Sequence, residues 1–338
     1  MSKNLTRRSF VAAQAAVASM ALTACGGANT SAGSNGGDLT KLTFCLDYTP
    51  NTNHTGIYVA QAKGYFTDEG LEVSIVQPAE DSAEAMIGTG QAQLGVSYQD
   101  YMAGAFDGGN KGLVAVAAII QHNTSGIMSP QELGVTSPKH MEGLRYATWE
   151  LPVEQATVRQ VVEKDGGDYS KIKFVPYTVD DEVSGFKAGL FDTVWVFEGW
   201  AVQNAIVQDY PVNYFSFISI DDVFDFYTPV IAANTDYCEQ NPQAVKAFLR
   251  AAKKGYEFAI ANPDEAADIL CEAAPELDSV LVHQSASFLA GEYQSDAASW
   301  GLIEGERWST FYQWLNDNNL VKSPLDVNAG WTMEYLEA

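Results

Sequence analysis

The chain has 338 residues and a formal charge of −24, with 43 acidic against 19 basic side chains, and 12% of its residues are aromatic. A surface this acidic repels nucleic acid and gains nothing from anionic lipid headgroups, which excludes nucleic-acid binding and charge-driven membrane adhesion. Cys25, Cys45, Cys238 and Cys271 show no Cys-x-x-Cys or Cys/His spacing, which argues against a metal site and leaves Cys238–Cys271 as the one pair to consider for a disulfide. Separate buried thiols are the simpler expectation.

Residues 1–24 have the order of an export signal. Thr6-Arg7-Arg8-Ser9-Phe10 is basic, Val11 to Ala21 is apolar and Ala-rich, and Leu22-Thr23-Ala24-Cys25 closes it with small residues. The run is short for a membrane span. Its last four residues resemble a bacterial lipobox, which implies cleavage before Cys25, lipidation of that cysteine, and anchoring outside the cell membrane. The paired arginines leave both the Tat and the Sec route open. Loss of Lys3, Arg7 and Arg8 brings the mature chain to about −27. Residues 25–38, the lipidated cysteine and a Gly/Ser/Asn-rich stretch, read as a flexible linker. No later segment is apolar for long enough to cross a bilayer. About 300 residues remain, enough for a large core divided between two domains.

From residue 39 strands and helices alternate. Strands are expected at Lys41–Leu46, Leu71–Gln77, Gln93–Ser97, Leu113–Gln121, Gly126–Met128, Arg145–Thr148, Lys173–Pro176 and Thr193–Phe197. Between them fall helices, among them Gly56–Lys63, Ala79–Gly88, Gln99–Phe106 and Val153–Lys164. Beyond Pro242 the pattern is helical, over Ala244–Ala261, Asp264–Ala273, Ser279–Phe288 and Gly305–Asn316. Such alternation predicts an α/β fold with largely parallel sheets. Met86 to Gln99 is echoed 99 residues later by Gly185 to Glu198, each reading helix, glycine, polar residue, strand. The echo suggests two lobes built to one plan, with lobe 1 at 39–122 plus 233–338 and lobe 2 at 123–232.

Ligands of open α/β sheets lie at the carboxyl ends of strands. Those ends carry Asp47-Tyr48-Thr49-Pro50-Asn51-Thr52-Asn53-His54, then Tyr98-Gln99-Asp100-Tyr101, Trp149-Glu150, and Trp195 to Trp200. They hold aromatics, amides, carboxylates and a histidine, and no Lys or Arg. An anionic ligand normally wants an arginine fork, so a flat, neutral or weakly basic ligand fits better. Glu198 can accept from an amino group and a protonated ring nitrogen, which suits an aminopyrimidine. Trp195 reads equally as core or ligand wall, Tyr48 as a cover for the sheet end, Asn51 as a turn former, and His54 as a capping or packing residue.

The run from Asp47 to Ala60, with Lys63-Gly64-Tyr65-Phe66, Glu69-Gly70-Leu71, Trp149 to Ala156, Glu163 to Gly167 and Trp195 to Trp200, resembles the NMT1/THI5-like solute-binding proteins of ABC importers. The resemblance spans nearly the whole mature chain. It implies the two-lobed type II periplasmic-binding fold, an ABC permease as partner, a monomer, no cofactor and no catalysis. The ligand it implies is a pyrimidine precursor of thiamine, with riboflavin as the alternative. It places ligand contacts at Asp47, Tyr48, Asn51, His54 and Glu198, and Tyr98, Trp149, Glu150, Trp195 and Tyr227 complete the candidate set. Tyr48 stands where many relatives have Trp. The same superfamily includes a fungal pyrimidine synthase that consumes its own histidine, which His54 resembles in position. That enzyme has adjacent cysteines, and those of this chain are scattered. A surface adhesin is a third class of reading.

Overall fold

The computed structural model describes residues 39–78, 82–179 and 181–337. The expected signal, the lipidated Cys25 and the linker lie outside them. Among the described residues ten strands form two five-stranded sheets. The first contains β1 (Thr40–Cys45), β2 (Leu71–Val76), β3 (Leu94–Ser97), β4 (Leu113–Ala118) and β10 (Val230–Asn234), in the order β2-β1-β3-β10-β4. The second contains β5 (Ser125–Pro130), β6 (Arg145–Thr148), β7 (Lys173–Pro176), β8 (Thr193–Phe197) and β9 (Val212–Ser216), in the order β7-β6-β8-β5-β9. The two orders are the same pattern. β3 and β8, the strands of the internal echo, hold the same place in their sheets.

The sheets are mixed where the alternation predicts largely parallel ones. β10 runs antiparallel to β3 and β4, and β5 antiparallel to β8 and β9. Each reversed strand is the one by which the chain enters that sheet from the other. Every residue of β5 and β10 is buried. A strand covered on both faces shows no polar alternation, and β10, with five residues after a proline, carries no signal of its own. The chain passes between the sheets at 119–124 and 217–229. The boundary expected at 122/123 falls inside the first crossover. That expected at 232/233 falls inside β10, which belongs whole to the first sheet and moves the second crossover upstream.

The long helix Pro242–Ala261 shows why the C-terminal third covers the first sheet. Its Val245, Phe248, Leu249, Ala252, Tyr256 and Ala259 recur at helical spacing and are all buried. Phe248 stacks on Phe44 of β1 and on Phe66, with ring centroids 5.3 and 5.1 Å apart. The helix Gly305–Asp317 lies over the second crossover, where Phe311 stacks on Phe226 at 4.0 Å. Among the described residues no helix is long and apolar enough to cross a membrane, and Cys45, Cys238 and Cys271 are free thiols.

The helix Thr55–Ala62, which follows the first candidate loop, meets Pro242–Ala261 glycine against glycine. A methyl group at Gly255 would sit 1.9 Å from the Gly56 carbonyl oxygen. Gly255→Ala is therefore expected to cost about 3 kcal/mol or more, the upper end of overpacking, and to lower the melting temperature by several degrees. Gly104→Ala, on an exposed helical position with nothing within 4 Å, is the control and leaves melting unchanged or slightly raised.

Candidate functional site

The loop after β1 is built around one carboxylate. The Asn51 side chain accepts from the Asn53 amide at 2.9 Å and donates to the Thr49 carbonyl at 3.2 Å, which turns the chain into a short 3-10 turn. The Asn51 amide donates to His54 Nδ1 at 3.2 Å. An amide only donates, so Nδ1 is the acceptor and the proton sits on Nε2, which donates to Asp47 Oδ1 at 2.5 Å. The other oxygen, Oδ2, accepts from the Tyr98 hydroxyl at the end of β3. Burial works against the charge of Asp47, but His54 and Tyr98 outweigh it and hold the carboxyl below the usual aspartate range. The Tyr98 hydroxyl is pushed well up, first by burial and then by the Asp47 charge. The Tyr293 hydroxyl donates to the Thr52 carbonyl at 2.6 Å and that of Tyr256 to the Asn53 carbonyl at 2.7 Å, pinning the loop from behind.

A cavity of about 370 Å³ opens on this loop. The residues Asp47 to Asn53, Tyr98, Ile120 and Pro229 form its wall on the first-sheet side. Thr124, Phe197, Gly199 and Trp200 face them from the second, and Leu277 and Leu289 close one end. The rings of Tyr98 and Phe197 meet across the gap at 6.3 Å, 24° from parallel. Among the described residues no Lys or Arg lines it. Four larger hollows, of about 680, 640, 590 and 470 Å³, contain none of the candidate ligand-contact residues.

Of the candidate residues the cavity gathers Asp47, Tyr48, Asn51 and Tyr98 directly. Tyr48 is 68% exposed at its rim. Glu198 does not itself line the cavity, although its sequence neighbours Phe197 and Gly199 do; it is half-buried, and among the described residues no side chain donates to its carboxylate. Burial raises its pKa, and the charge of Glu292 adds to the rise. His54 is fully buried, off the wall, with both ring nitrogens bonded, so it positions Asp47 and offers no free edge. Trp149 and Trp195 touch each other at 6.1 Å but do not line the cavity. Trp195 is packed on Phe217 at 4.3 Å and is core. Trp149 stays exposed, and Glu150 is exposed beside it with φ of 61°. Tyr227 is wholly buried, its hydroxyl accepting from the Glu304 amide at 2.8 Å and the Arg307 guanidinium 5.0 Å over its ring, so it belongs to the core. The sequence reading missed Thr124, Leu277 and Leu289, which lie in a crossover and in the helical third where nothing marks a strand end.

The model of the "NMT1/THI5 like" family matches residues 51–266, well over half of the chain. The chain belongs to that family. Among curated relatives it is similar to the formylaminopyrimidine-binding protein of Halalkalibacterium halodurans, at 28% identity over 85% of this chain and 88% of that one. It is similar also to the 4-amino-5-hydroxymethyl-2-methylpyrimidine phosphate synthase THI11 of Saccharomyces cerevisiae, at 23% identity over 88% of each. Among solved structures the periplasmic aliphatic sulphonate binding protein SsuA of Escherichia coli superposes with a TM-score of 0.70, at 15% identity, over 88% of this chain and 99% of that one. The fold of this NMT1/THI5-like chain is thus the two-lobed α/β periplasmic-binding fold.

Asp47→Asn removes the charge that both His54 and Tyr98 address. It is expected to destabilise the protein by about 1.5–3 kcal/mol at neutral pH, the range for hydrogen bonds to a charged group. The folded pKa of Asp47 is depressed, so this contribution is fully present above the unfolded value of about 3.9 and fades as pH falls through the folded one. Denaturant unfolding of both proteins from pH 7 to pH 3 should show the gap closing at the acid end.

Proposed function

We propose that this protein is the extracytoplasmic substrate-binding lipoprotein of an ABC importer, and that its ligand is a small aminopyrimidine of the thiamine-precursor kind. The observation that carries the reading is the cavity between strand ends of two sheets, lined by aromatic and amide side chains and by no cation among the described residues. Tyr48 covers the ring, Tyr98 and Phe197 bound it, and Glu198 accepts from its amino group. The name of the Halalkalibacterium relative supports the ligand class. A sulfonate would have to be held there without Lys or Arg on the wall. In this reading Cys25 carries the lipid, the body is a monomer, and a permease is the partner.

Binding is favoured over synthesis by the state of the groups a synthase chemistry would draw on. The His54 ring is buried with both nitrogens engaged. Burial pushes the Cys45 thiol up to about 11 and that of Cys238 to about 12, so neither is a nucleophile at neutral pH.

A thermal-shift screen of the purified protein against aminopyrimidines, riboflavin and alkanesulfonates tests the reading. A ligand at 100 times its dissociation constant adds about 2.7 kcal/mol, a shift of a few degrees. Stabilisation by formylaminopyrimidine without turnover is the expected result. Glu198→Gln should then weaken it by about 1.5–3 kcal/mol in calorimetry, the worth of a charge-assisted bond. A response to riboflavin alone replaces the ligand, and a response to sulfonate alone overturns the argument from missing cations.

A further inference from the structure

The helix Ser279–Glu292 touches both sides of the cleft. Its Val282, Ala286 and Leu289 are buried in the core of the first sheet, and the same helix packs against Glu198–Val202 and Gln203–Val207, which follow β8 of the second sheet. Ser285, on this helix, is fully buried. Its hydroxyl donates to the Gly199 carbonyl. A carbonyl can only accept, so the single Ser285 proton is committed there, and the 2.6 Å contact with Thr52 Oγ1 must be a bond donated by Thr52. The result is a one-way relay from Thr52 through Ser285 to Gly199. Both of its ends lie on the cavity wall, one on each side.

Three further observations show that the relay joins tightly fitted parts. A methyl group at Gly199 would lie 2.7 Å from Leu289, so the segment after β8 sits directly on the helix. Gln284, next to Ser285, donates to Gln203 Oε1 at 2.9 Å, and Gln203 donates to the Glu198 carbonyl at 3.2 Å. The covalent links between the sheets are the two crossovers, and the relay is a separate, noncovalent link made through another element.

We propose that Ser285 is a positioning residue that latches the two walls of the binding cavity together, holding the cleft in its binding-competent arrangement before ligand arrives. The energy of one neutral hydrogen bond is enough to change the competent fraction severalfold, and apparent affinity scales with that fraction. Ser285 touches no ligand in this scheme. Its effect on affinity is carried entirely by Thr52 and Gly199. The affinity part rests on the binding function proposed above, whereas the latch itself does not.

Amide hydrogen exchange of the intact, ligand-free protein tests the latch. Ser285→Ala is expected to raise exchange together in the segments around Thr52–Thr55 and Gly199–Gln203, and to leave the helix Pro242–Ala261 and the sheets unchanged. Thr52→Val, which removes the first donor and keeps the shape, should do the same to a smaller degree, and Thr52→Ser, which restores the hydroxyl, should behave as the parent. Unchanged exchange in both segments, or a uniform rise across the whole chain, overturns the proposal. If Ser285→Ala does not fold, the contrast between Thr52→Val and Thr52→Ser decides by the same criterion. With formylaminopyrimidine as probe, Thr52→Val and Ser285→Ala should each weaken binding about fivefold, mainly through faster release. Should the parent fail to bind that probe, the ligand assignment falls, and the exchange result still judges the latch.

Discussion

The fold depends on two strands that must be satisfied from both sides. β5 and β10 are buried along their whole length, so every amide and carbonyl in them needs a partner from a neighbouring strand. β10 finds them in β3 and β4, and β5 in β8 and β9. Because each is threaded in from the opposite sheet, neither sheet can close without the other. That requirement fixes where the crossovers run. It brings Ile120 and Thr124 from the first, and Pro229 from the end of the second, to the strand ends that form the cavity.

The site follows from the same logic at smaller scale. Asp47 is a charge taken out of water, and it persists because a neutral histidine and a phenol both donate to it. Satisfying that carboxylate consumes His54 and Tyr98, ties the loop after β1 to the end of β3, and presents Tyr48 and the Asn51 turn at the rim. Glu198 is the opposite case. It is half-buried with no side-chain donor among the described residues, and burial raises its pKa. The contrast is between a carboxylate whose hydrogen bonds are satisfied and one whose are not.

Much of this architecture is legible in the sequence. The alternation gives the two-sheet α/β plan, and most strands and helices lie within a few residues of where periodicity places them. The echo between Met86–Gln99 and Gly185–Glu198 anticipates the equivalence of β3 and β8. The reversed strands are not legible, because short runs such as Val230–Asn234 look the same in either direction. Of the residues the strand-end rule names, Asp47, Tyr48, Asn51, Tyr98, Phe197, Gly199 and Trp200 line the cavity. The rule fails where burial rather than position decides. His54 and Tyr227 have the chemistry of ligand contacts, yet their polar atoms are used internally, and no local pattern distinguishes the two situations. Leu289 and Ser285, on the helix Ser279–Glu292, and Leu277, in the turn before it, reach the cleft from far along the sequence, a contact that only the packed structure supplies.

The three thiols carry a consequence for how such a chain is made. Cys45 and Cys238 are buried, Cys271 is partly covered, and burial raises the pKa of all three. With no disulfide among them and little thiolate to exchange, the folded body from residue 39 onward is indifferent to the redox potential around it. Its strands and helices are held by packing and hydrogen bonds, with no covalent cross-link among the described cysteines.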